Sequence, residues 1–241
     1  FERISDTTPV LVDVKPHGKG TVGTDFHNAG GVASLMKELE KSLHTDCLTV
    51  TGKTVGENLK NIDMPYNTDI IRPLDNPLDK KGGISVLYGN LAPKGAVIKR
   101  SAASANLLNH RGKAKVFEDL EECQKYLLDE NSDMTKNTVI ILRGFGPIGA
   151  PGMPENGNYM PLPPKLNKDG IKDFVRITDS RMSGGCFGTQ VLHVAPESAV
   201  GGPLAVVKDG DIIHLDVDSN LIELEISDAE FNKRMKNVKK K

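Results

Sequence analysis

The sequence has almost no net charge and no long hydrophobic run, and each shortage excludes a class of protein. Its 241 residues carry a formal net charge of -1 at pH 7, so the overall charge gives no reason to expect a nucleic-acid partner. No apolar run approaches the ~20 residues that a transmembrane helix needs. With 38% hydrophobic and 26% charged residues, the composition predicts a globular protein that binds neither nucleic acid nor membrane.

Cysteine is also scarce, and the three cysteines predict neither a disulfide framework nor a zinc site. Cys47, Cys123 and Cys186 are far apart and form no C-x-x-C pair, so a reducing compartment, the cytoplasm, is expected. Cys123 stands at helical spacing with Leu120 and Leu127, which predicts a buried core thiol. Cys186 lies in a glycine-rich loop, where it is either a plain loop residue or a nucleophile or cluster ligand.

An initiator methionine and a signal-peptide pattern are missing as well. The chain begins at Phe1, and we interpret it as a piece of a longer protein. The basic tail KNVKKK is expected to be a frayed, solvated end rather than a contact with an anionic surface.

Hydrophobic spacing over residues 30–43 predicts one amphipathic helix. The following segment, Asn61 to Asp79, contains three prolines and little periodicity, so we place a boundary near residue 64. The chain is thus expected to divide into residues 1–64 and residues 65–241.

Beyond residue 64 the pattern is rich in strands and poor in helices. Eight segments are typical of strands: 84–91, 96–99, 138–143, 174–178, 190–194, 204–208, 211–217 and 221–226. The last two are separated by a loop of hairpin length and are expected to pair antiparallel. Helices are predicted over about 117–128 and after Ser227, which begins a capping box with Glu230. The predicted fold is mixed α/β, with a closed or nearly closed β-barrel as the second part.

Two glycine-rich loops follow predicted strands. Residues 144–164 are rich in glycine and proline but carry apolar side chains, which favours a binding loop over a disordered linker. In the second loop, TDSRMSGGCFG, glycines follow Ser183 and would let a ligand approach its hydroxyl; alternatively the hydroxyl only bonds its own backbone. If the loops converge, Glu155 and Ser183 form a plausible pair of Mg²⁺ ligand and base, although Glu155 could equally be a solvated surface residue.

Several long strings resemble one enzyme family. They are PVLVDVKPHG, DCLTVTGKTVGENL, IIRPLDNPL, GGISVLYGNLAPKGAVIK, GPIGAPGMPE, MPLPPKL, DSRMSG and VLHVAPESAVGGPLAVVKDGD. Together they resemble the carboxyl-terminal half of the dihydroxy-acid and sugar-acid dehydratases, over about residues 9–231. MPLPPKL and VLHVAPE are more similar to the sugar-acid branch, which acts on pentonates, than to the branched-chain biosynthetic branch.

The resemblance implies a hydro-lyase that converts a 2,3-dihydroxy acid into a 2-keto-3-deoxy acid. It implies an iron–sulfur cluster that binds the departing C3 hydroxyl and Mg²⁺ that holds the carboxylate and C2 oxygen, both acting as Lewis acids. Glu155 of PGMPE matches the family's Mg²⁺ ligand, and Ser183 of SRMSG matches the serine that takes the C2 proton. Asp179 and Arg181, which flank Ser183, are interpreted as residues that fix the loop. Homo-oligomerisation of the full-length chain is also implied.

The sequence departs from the family pattern at two points. Gly185 stands where sugar-acid members carry a hydroxyl side chain, and glycine is more similar to the branched-chain members. The family's cluster cysteines and its other Mg²⁺ ligands, including a modified lysine, are expected upstream of Phe1, and none of the three cysteines matches them. We therefore expect residues 1–64 to be the end of an amino-terminal α/β domain, and the 241-residue piece alone to show no turnover.

Two alternatives remain open from the sequence. The first keeps the chemistry and changes the substrate, as in a branched-chain dihydroxy-acid dehydratase. The second is a non-catalytic barrel that binds a small acid or a protein partner, in which Glu155 and Ser183 are incidental.

Overall fold

The structure is a computed structural model. It describes residues 1–15, 20–155, 160–181, 183, 187–238 and 240. The chain forms two compact units, Phe1–Gly83 and Ile84–Lys241. No helix in the described residues is long and apolar enough to cross a membrane.

The first unit is built from short helices. They are α1 (Glu2–Thr7), α2 (Gly23–Asn28), α3 (Gly31–Glu38) and α4 (Val55–Leu59), with a 3-10 turn at Glu40–Ser42. The helix predicted over residues 30–43 is therefore confirmed in place but is shorter, because Leu39 leaves helical geometry and the chain tightens into the 3-10 turn. Helix α4 begins with a capping box, in which Thr54 and Glu57 each bond the other's backbone N–H.

The segment after α4 packs within the first unit. Arg72 N donates to Leu11 O at 2.8 Å, and Leu78 N donates to Val10 O at 2.8 Å. These bonds tie residues 65–83 to the start of the chain, so the predicted boundary near residue 64 lies inside the first compact unit. A division of the protein into domains at that point stays a prediction.

The second unit contains one eight-stranded sheet. Its strands are β1 (Ser85–Leu87), β2 (Ala96–Ile98), β3 (Asn109–Phe117), β4 (Thr138–Leu142), β5 (Arg176–Thr178), β6 (Gln190–Leu192), β7 (Ile212–Asp216) and β8 (Leu221–Leu224). The spatial order is β1-β2-β6-β5-β4-β3-β7-β8. Strands β3, β4, β5 and β6 run parallel to their neighbours in that group, and the other pairs are antiparallel.

The two edges of this sheet approach each other and nearly close it into a barrel. Tyr88, just after β1, forms a parallel bridge with Leu221 of β8. Tyr88 N donates to Asn220 O, and Ile222 N donates to Tyr88 O, both at 2.8 Å. Closure satisfies backbone groups that would otherwise be left open at the edges. The predicted mixed α/β class with a nearly closed barrel is confirmed.

Strand β4 shows why the barrel needs an outer layer. All five of its residues are buried, as expected for a parallel strand covered on both faces. Val139 and Ile141 point into the barrel core. Ile140 and Leu142 pack outwards in a second cluster with residues of α5 (Leu120–Leu128) and α6 (Pro164–Lys168).

One predicted strand was wrong and one observed strand was not predicted, and both errors have a physical cause. Residues 204–208 were predicted to be a strand, but Pro203–Val206 is a 3-10 turn. Proline fixes φ and lacks an N–H, and the carbonyls of Leu204, Ala205 and Val207 accept hydrogen bonds from Arg143 instead of from a strand. The nine-residue strand β3 was missed.

The strand β3 escaped prediction because its inward residues are small. Gly112 and Ala114 are buried, whereas Arg111 and Lys113 are exposed, so the alternation lacks bulky apolar side chains. Phe117 ends this strand, and the helix predicted from residue 117 begins only at Leu120.

The predicted hairpin of β7 and β8 is confirmed as an antiparallel pair. Ser227 also caps α7 (Asp228–Lys236) as predicted, by accepting from Glu230 N. The Glu230 side chain does not complete the capping box in the described structure. It accepts from Arg234 Nε at 2.8 Å instead.

Candidate active site

Three loops leave the carboxyl ends of neighbouring parallel strands. Loop A (143–163) follows β4, loop B (179–189) follows β5, and loop C (193–202) follows β6. Because parallel strands point the same way, these loops emerge at one edge of the sheet. Crevices at the carboxyl ends of such strands are common ligand sites.

A buried carboxylate joins all three loops. Asp179 is 2% exposed and accepts four hydrogen bonds. The donors are Gly144 N (3.1 Å), Phe145 N (3.0 Å), Ser198 N (2.9 Å) and Ser198 Oγ (2.5 Å). A carboxylate with so many donors needs no cation beside it. This agrees with the loop-fixing role predicted for Asp179.

Loop C holds loop A at a second point through Glu197. Its Oε1 accepts from Ile148 N at 2.9 Å and Gly149 N at 3.1 Å. Its Oε2 lies so close to Gly146 that an added Cβ there would be 1.8 Å away. Only glycine allows this approach, so loop A is shaped to fit the carboxylate.

The far ends of loops A and B are fixed by Arg176. Its guanidinium donates to Met160 O at 3.1 Å and to Phe187 O at 3.3 Å, and it pairs with Asp173 at 3.3 Å. Arg176 is 7% exposed and Asp173 is also 7% exposed. Gly188 lies against the guanidinium, where an added Cβ would be 2.2 Å from Nη2. The loops are therefore anchored at both ends by buried charged groups.

The open side of the site carries Glu155 and Arg181. Glu155 Oε1 accepts from Arg181 Nη1 at 2.7 Å, with side chains 35% and 43% exposed respectively, and the two backbones form a parallel bridge. Arg181 Nε donates to Met153 O at 2.9 Å, and Ser180 Oγ donates to Pro154 O at 2.7 Å. Loops A and B thus run side by side here.

Ser183 follows Arg181 by two residues and is half-buried. Two residues of chain span at most about 7 Å, so Ser183 lies in the same stretch of loop B as the partner of Glu155. The structure therefore brings the Glu155 region and the Ser183 segment to one edge, while the chemical roles of both residues stay predictions. Gly185 and Cys186 lie outside the described residues.

A histidine that sequence analysis did not single out begins loop C. His193 N donates to Ser180 O at 3.0 Å, and its side chain is exposed. Its φ is +52°, in the left-handed region that non-glycine residues rarely adopt. Although the residue is exposed to solvent, neighbouring protein atoms partly desolvate the ring, and this desolvation and the nearby charge of Arg181 both lower the pKa of the imidazole. The only signal in the sequence was its place directly after a strand, in VLHVAPE.

The described residues do not contain a complete metal centre. No group of three His, Cys, Asp or Glu side chains able to hold a metal ion occurs among them. Glu155 fits the role of one oxygen ligand, because its second oxygen accepts no hydrogen bond within the described part of the chain.

The described cysteines do not fit an iron–sulfur cluster. Cys123 is fully buried in the outer core cluster, as predicted. Burial raises the pKa of its thiol to about 12, whereas cluster ligands are thiolates. Cys47 belongs to the first compact unit and is exposed.

Comparison with known proteins adds family-level information. A family model described as dihydroxy-acid/6-phosphogluconate dehydratase C-terminal matches residues 69–241, and its N-terminal counterpart matches residues 1–58. The chain is 48% identical to an L-arabinonate dehydratase of Rhizobium leguminosarum bv. trifolii, over 98% of this chain and 40% of that protein.

Two further relatives are named for different substrates. A 6-deoxy-6-sulfo-D-gluconate dehydratase of Pseudomonas putida is 47% identical, over 94% of this chain and 39% of its own length. A dihydroxy-acid dehydratase of Methanobrevibacter smithii is 40% identical, over 99% of this chain and 42% of its own length. The chain thus spans about two fifths of the length of the curated relatives it matches.

Proposed function

Because this chain belongs to the dihydroxy-acid/6-phosphogluconate dehydratase family, we propose that its protein removes water from a 2,3-dihydroxy sugar acid to give a 2-keto-3-deoxy acid. The observation that carries the proposal is the pairing of loops A and B, which sets Glu155 beside the segment that leads to Ser183. Sugar-acid relatives at 47% and 48% identity, against 40% to 43% for dihydroxy-acid dehydratases, support a sugar acid as the substrate.

Glu155 is proposed as a ligand of Mg²⁺. A carboxylate oxygen is the donor that this hard cation prefers, and the Glu155 oxygen that is not bonded to Arg181 is available for it. Bound there, Mg²⁺ would supply Lewis-acid stabilisation of negative charge on the acid. Arg181 fixes the direction of the carboxylate, because it is itself held by Met153 O.

Ser183 is proposed as the base that removes the C2 proton. A serine hydroxyl is an acid far too weak to be deprotonated at neutral pH by itself, so this role requires a cation nearby. The hydrogen bonds from Ser180 and Arg181 to loop A support this proposal, because they hold the segment before Ser183 beside the Glu155 region.

An iron–sulfur cluster is proposed with all its ligands outside the described residues. When bound, it would supply a Lewis acid for the departing C3 hydroxyl. The buried thiol Cys123 does not fit this task, and no step of the proposal is assigned to it. A cytoplasmic location and a homo-oligomer of the full-length chain complete the proposal. Nucleic acid is not proposed as a partner.

A second candidate is dehydration of a branched-chain dihydroxy acid. It is favoured by Gly185 and by the relative of Methanobrevibacter smithii. To separate the two, turnover of L-arabinonate and of 2,3-dihydroxy-isovalerate is compared in the full-length polypeptide encoded with this chain. We expect a higher kcat/KM for the pentonate. A preference for 2,3-dihydroxy-isovalerate would replace the sugar acid with the branched-chain substrate.

The variant Ser183→Ala tests the chemical role in the same polypeptide. Loss of a base that acts only in the transition state is expected to lower kcat by about 1000-fold while the substrate still binds. Binding is measured separately by calorimetry. Unchanged turnover would remove Ser183 from the mechanism, and absence of turnover in the parent protein on every dihydroxy acid tried would favour a non-catalytic barrel.

A further inference from the structure

Unusual backbone geometry is concentrated around Arg181. Among the described residues, three that are not glycine have a positive φ: Met153 (+45°), His193 (+52°) and Asn220 (+54°). Asn220 lies in the tight turn between β7 and β8, where asparagine tolerates this geometry. Met153 and His193 instead lie near Arg181, one in loop A and one in loop C. Strained residues of this kind cluster at ligand sites.

The surroundings of His193 hold its backbone in place. Its N–H donates to Ser180 O, and the next residue, Val194, donates its N–H to Thr178 O at 3.3 Å. Leu192 and Val194 on either side are 6% and 1% exposed, whereas the His193 side chain is exposed. The left-handed geometry therefore keeps both neighbours in the core and leaves the imidazole open to solvent at the site edge.

No residue in the described part of the chain forms a hydrogen bond or ion pair with this imidazole. Desolvation of the ring by neighbouring atoms and, secondly, the charge of Arg181 lower its pKa from the ordinary 6.5, which favours the neutral imidazole, with one donor and one acceptor, at pH 7. A neutral imidazole beside a guanidinium suits the oxygen atoms of an anionic, hydroxylated ligand.

We infer that His193 is a substrate-binding residue whose imidazole hydrogen-bonds a hydroxyl or carboxylate oxygen of the sugar acid, an inference that rests on the proposed function. Loops A, B and C then each contribute one side chain to the ligand: Glu155, Ser183 and His193. The strained backbone has a role in this arrangement, because it directs the imidazole towards the open side.

The test separates the imidazole from the backbone. In the full-length polypeptide, His193→Gly removes the side chain and relieves the left-handed strain, so the protein is expected to melt at the same temperature or higher. Its kcat/KM for L-arabinonate is expected to fall about 100-fold, mostly through KM. Asn220→Gly makes the same backbone change away from the site and is expected to leave kcat/KM within about twofold.

Two further measurements exclude a purely structural effect. Free imidazole added to His193→Gly is expected to restore kcat/KM at least tenfold, which it would not do for Asn220→Gly. Asparagine tolerates the left-handed geometry and keeps a polar group, so the kcat/KM of His193→Asn is expected to lie between those of the parent and of His193→Gly. If the parent is active and His193→Gly has a kcat/KM within twofold of the parental value, the role of His193 is overturned while the proposed function stands. A parent without turnover would overturn that role together with the proposed function.

Discussion

The two sides of the loops use the same kinds of side chain in opposite ways. On the buried side, Asp179 accepts four hydrogen bonds and Arg176 is fixed by two carbonyls and Asp173. On the open side, Glu155 binds one partner through one oxygen, and His193 has an exposed imidazole. Burial with several hydrogen bonds to the loop backbone indicates a structural role, whereas partial exposure with unused donors or acceptors indicates a ligand.

The largest effect on stability is expected at Asp179. Asp179→Asn keeps the shape but replaces an acceptor oxygen with an NH₂ group that faces backbone N–H donors. Buried donors without acceptors cost roughly 1–3 kcal/mol each, so we expect a loss of about 3 kcal/mol or more in the free energy of unfolding. Urea denaturation of the full-length protein measures this change.

Asp69→Asn is the matched control, because the Asp69 side chain is 91% exposed and pairs loosely, at 3.8 Å, with the partly exposed Arg72. Its expected effect lies within about 0.5 kcal/mol. If both variants unfolded at the same urea concentration, Asp179 would not be the anchor that joins the three loops.

Replacing Glu155 should lower turnover strongly and stability little, the reverse of what is expected at Asp179. Glu155→Gln removes the charge that we propose binds Mg²⁺, and the Glu155 side chain is 35% exposed. We expect turnover to fall by about 100-fold, equivalent to about 2.7 kcal/mol, while the free energy of unfolding changes by less than about 0.5 kcal/mol. Steady-state kinetics at several Mg²⁺ concentrations would check the first claim. A variant with parental turnover and parental Mg²⁺ dependence would place the cation elsewhere.

A smaller loss of stability is expected when Arg176 is replaced by lysine. Lysine retains the charge but lacks the planar fork that reaches Met160 O, Phe187 O and Asp173 together. The expected cost is about 2 kcal/mol in the free energy of unfolding. Protease cleavage within loops A and B should also accelerate. Equal cleavage rates in parent and Arg176→Lys would show that the far ends of the loops are fixed by something else.

The sequence analysis named residues of the open side, and their chemical roles stay predictions. Glycine-rich loops that follow strands, together with the resemblance to the dehydratases, pointed to Glu155 and Ser183. The contacts of Glu197 with loop A could not be predicted, since they join residues about fifty positions apart in the chain. His193 was missed because neither its φ nor its distance from Arg181 has a sequence signal.

The fold was predictable where bulky side chains alternate. The antiparallel β7–β8 pair followed from this alternation, whereas the buried strand β4 followed from a short continuous run of apolar residues. Strand β3 did not, because Gly112 and Ala114 occupy its inward positions. The segment 204–208 has the apolar character of a strand, but its carbonyls bond to Arg143, a tertiary contact that composition does not reveal.

The smallest expected effect concerns the buried thiol of Cys123. Burial raises its pKa from 9.0 to about 12, so the unfolded chain ionises first as pH rises. Stability from this group is complete below pH 9 and is lost between pH 9 and pH 12. Between about pH 8 and pH 10 the parent should lose about 1 kcal/mol more stability than Cys123→Val. Equal losses would indicate that solvent reaches this thiol.

The most direct test is a crystal structure of the full-length protein with Mg²⁺ and a sugar acid bound. The account predicts a cation about 2.1 Å from a Glu155 oxygen, with Ser183 Oγ on the same side and within reach of the C2 atom of the acid. A cation bound elsewhere, with Glu155 engaged only by Arg181, would contradict it. So would a Ser183 hydroxyl too remote from Glu155 for one small acid to bridge both groups.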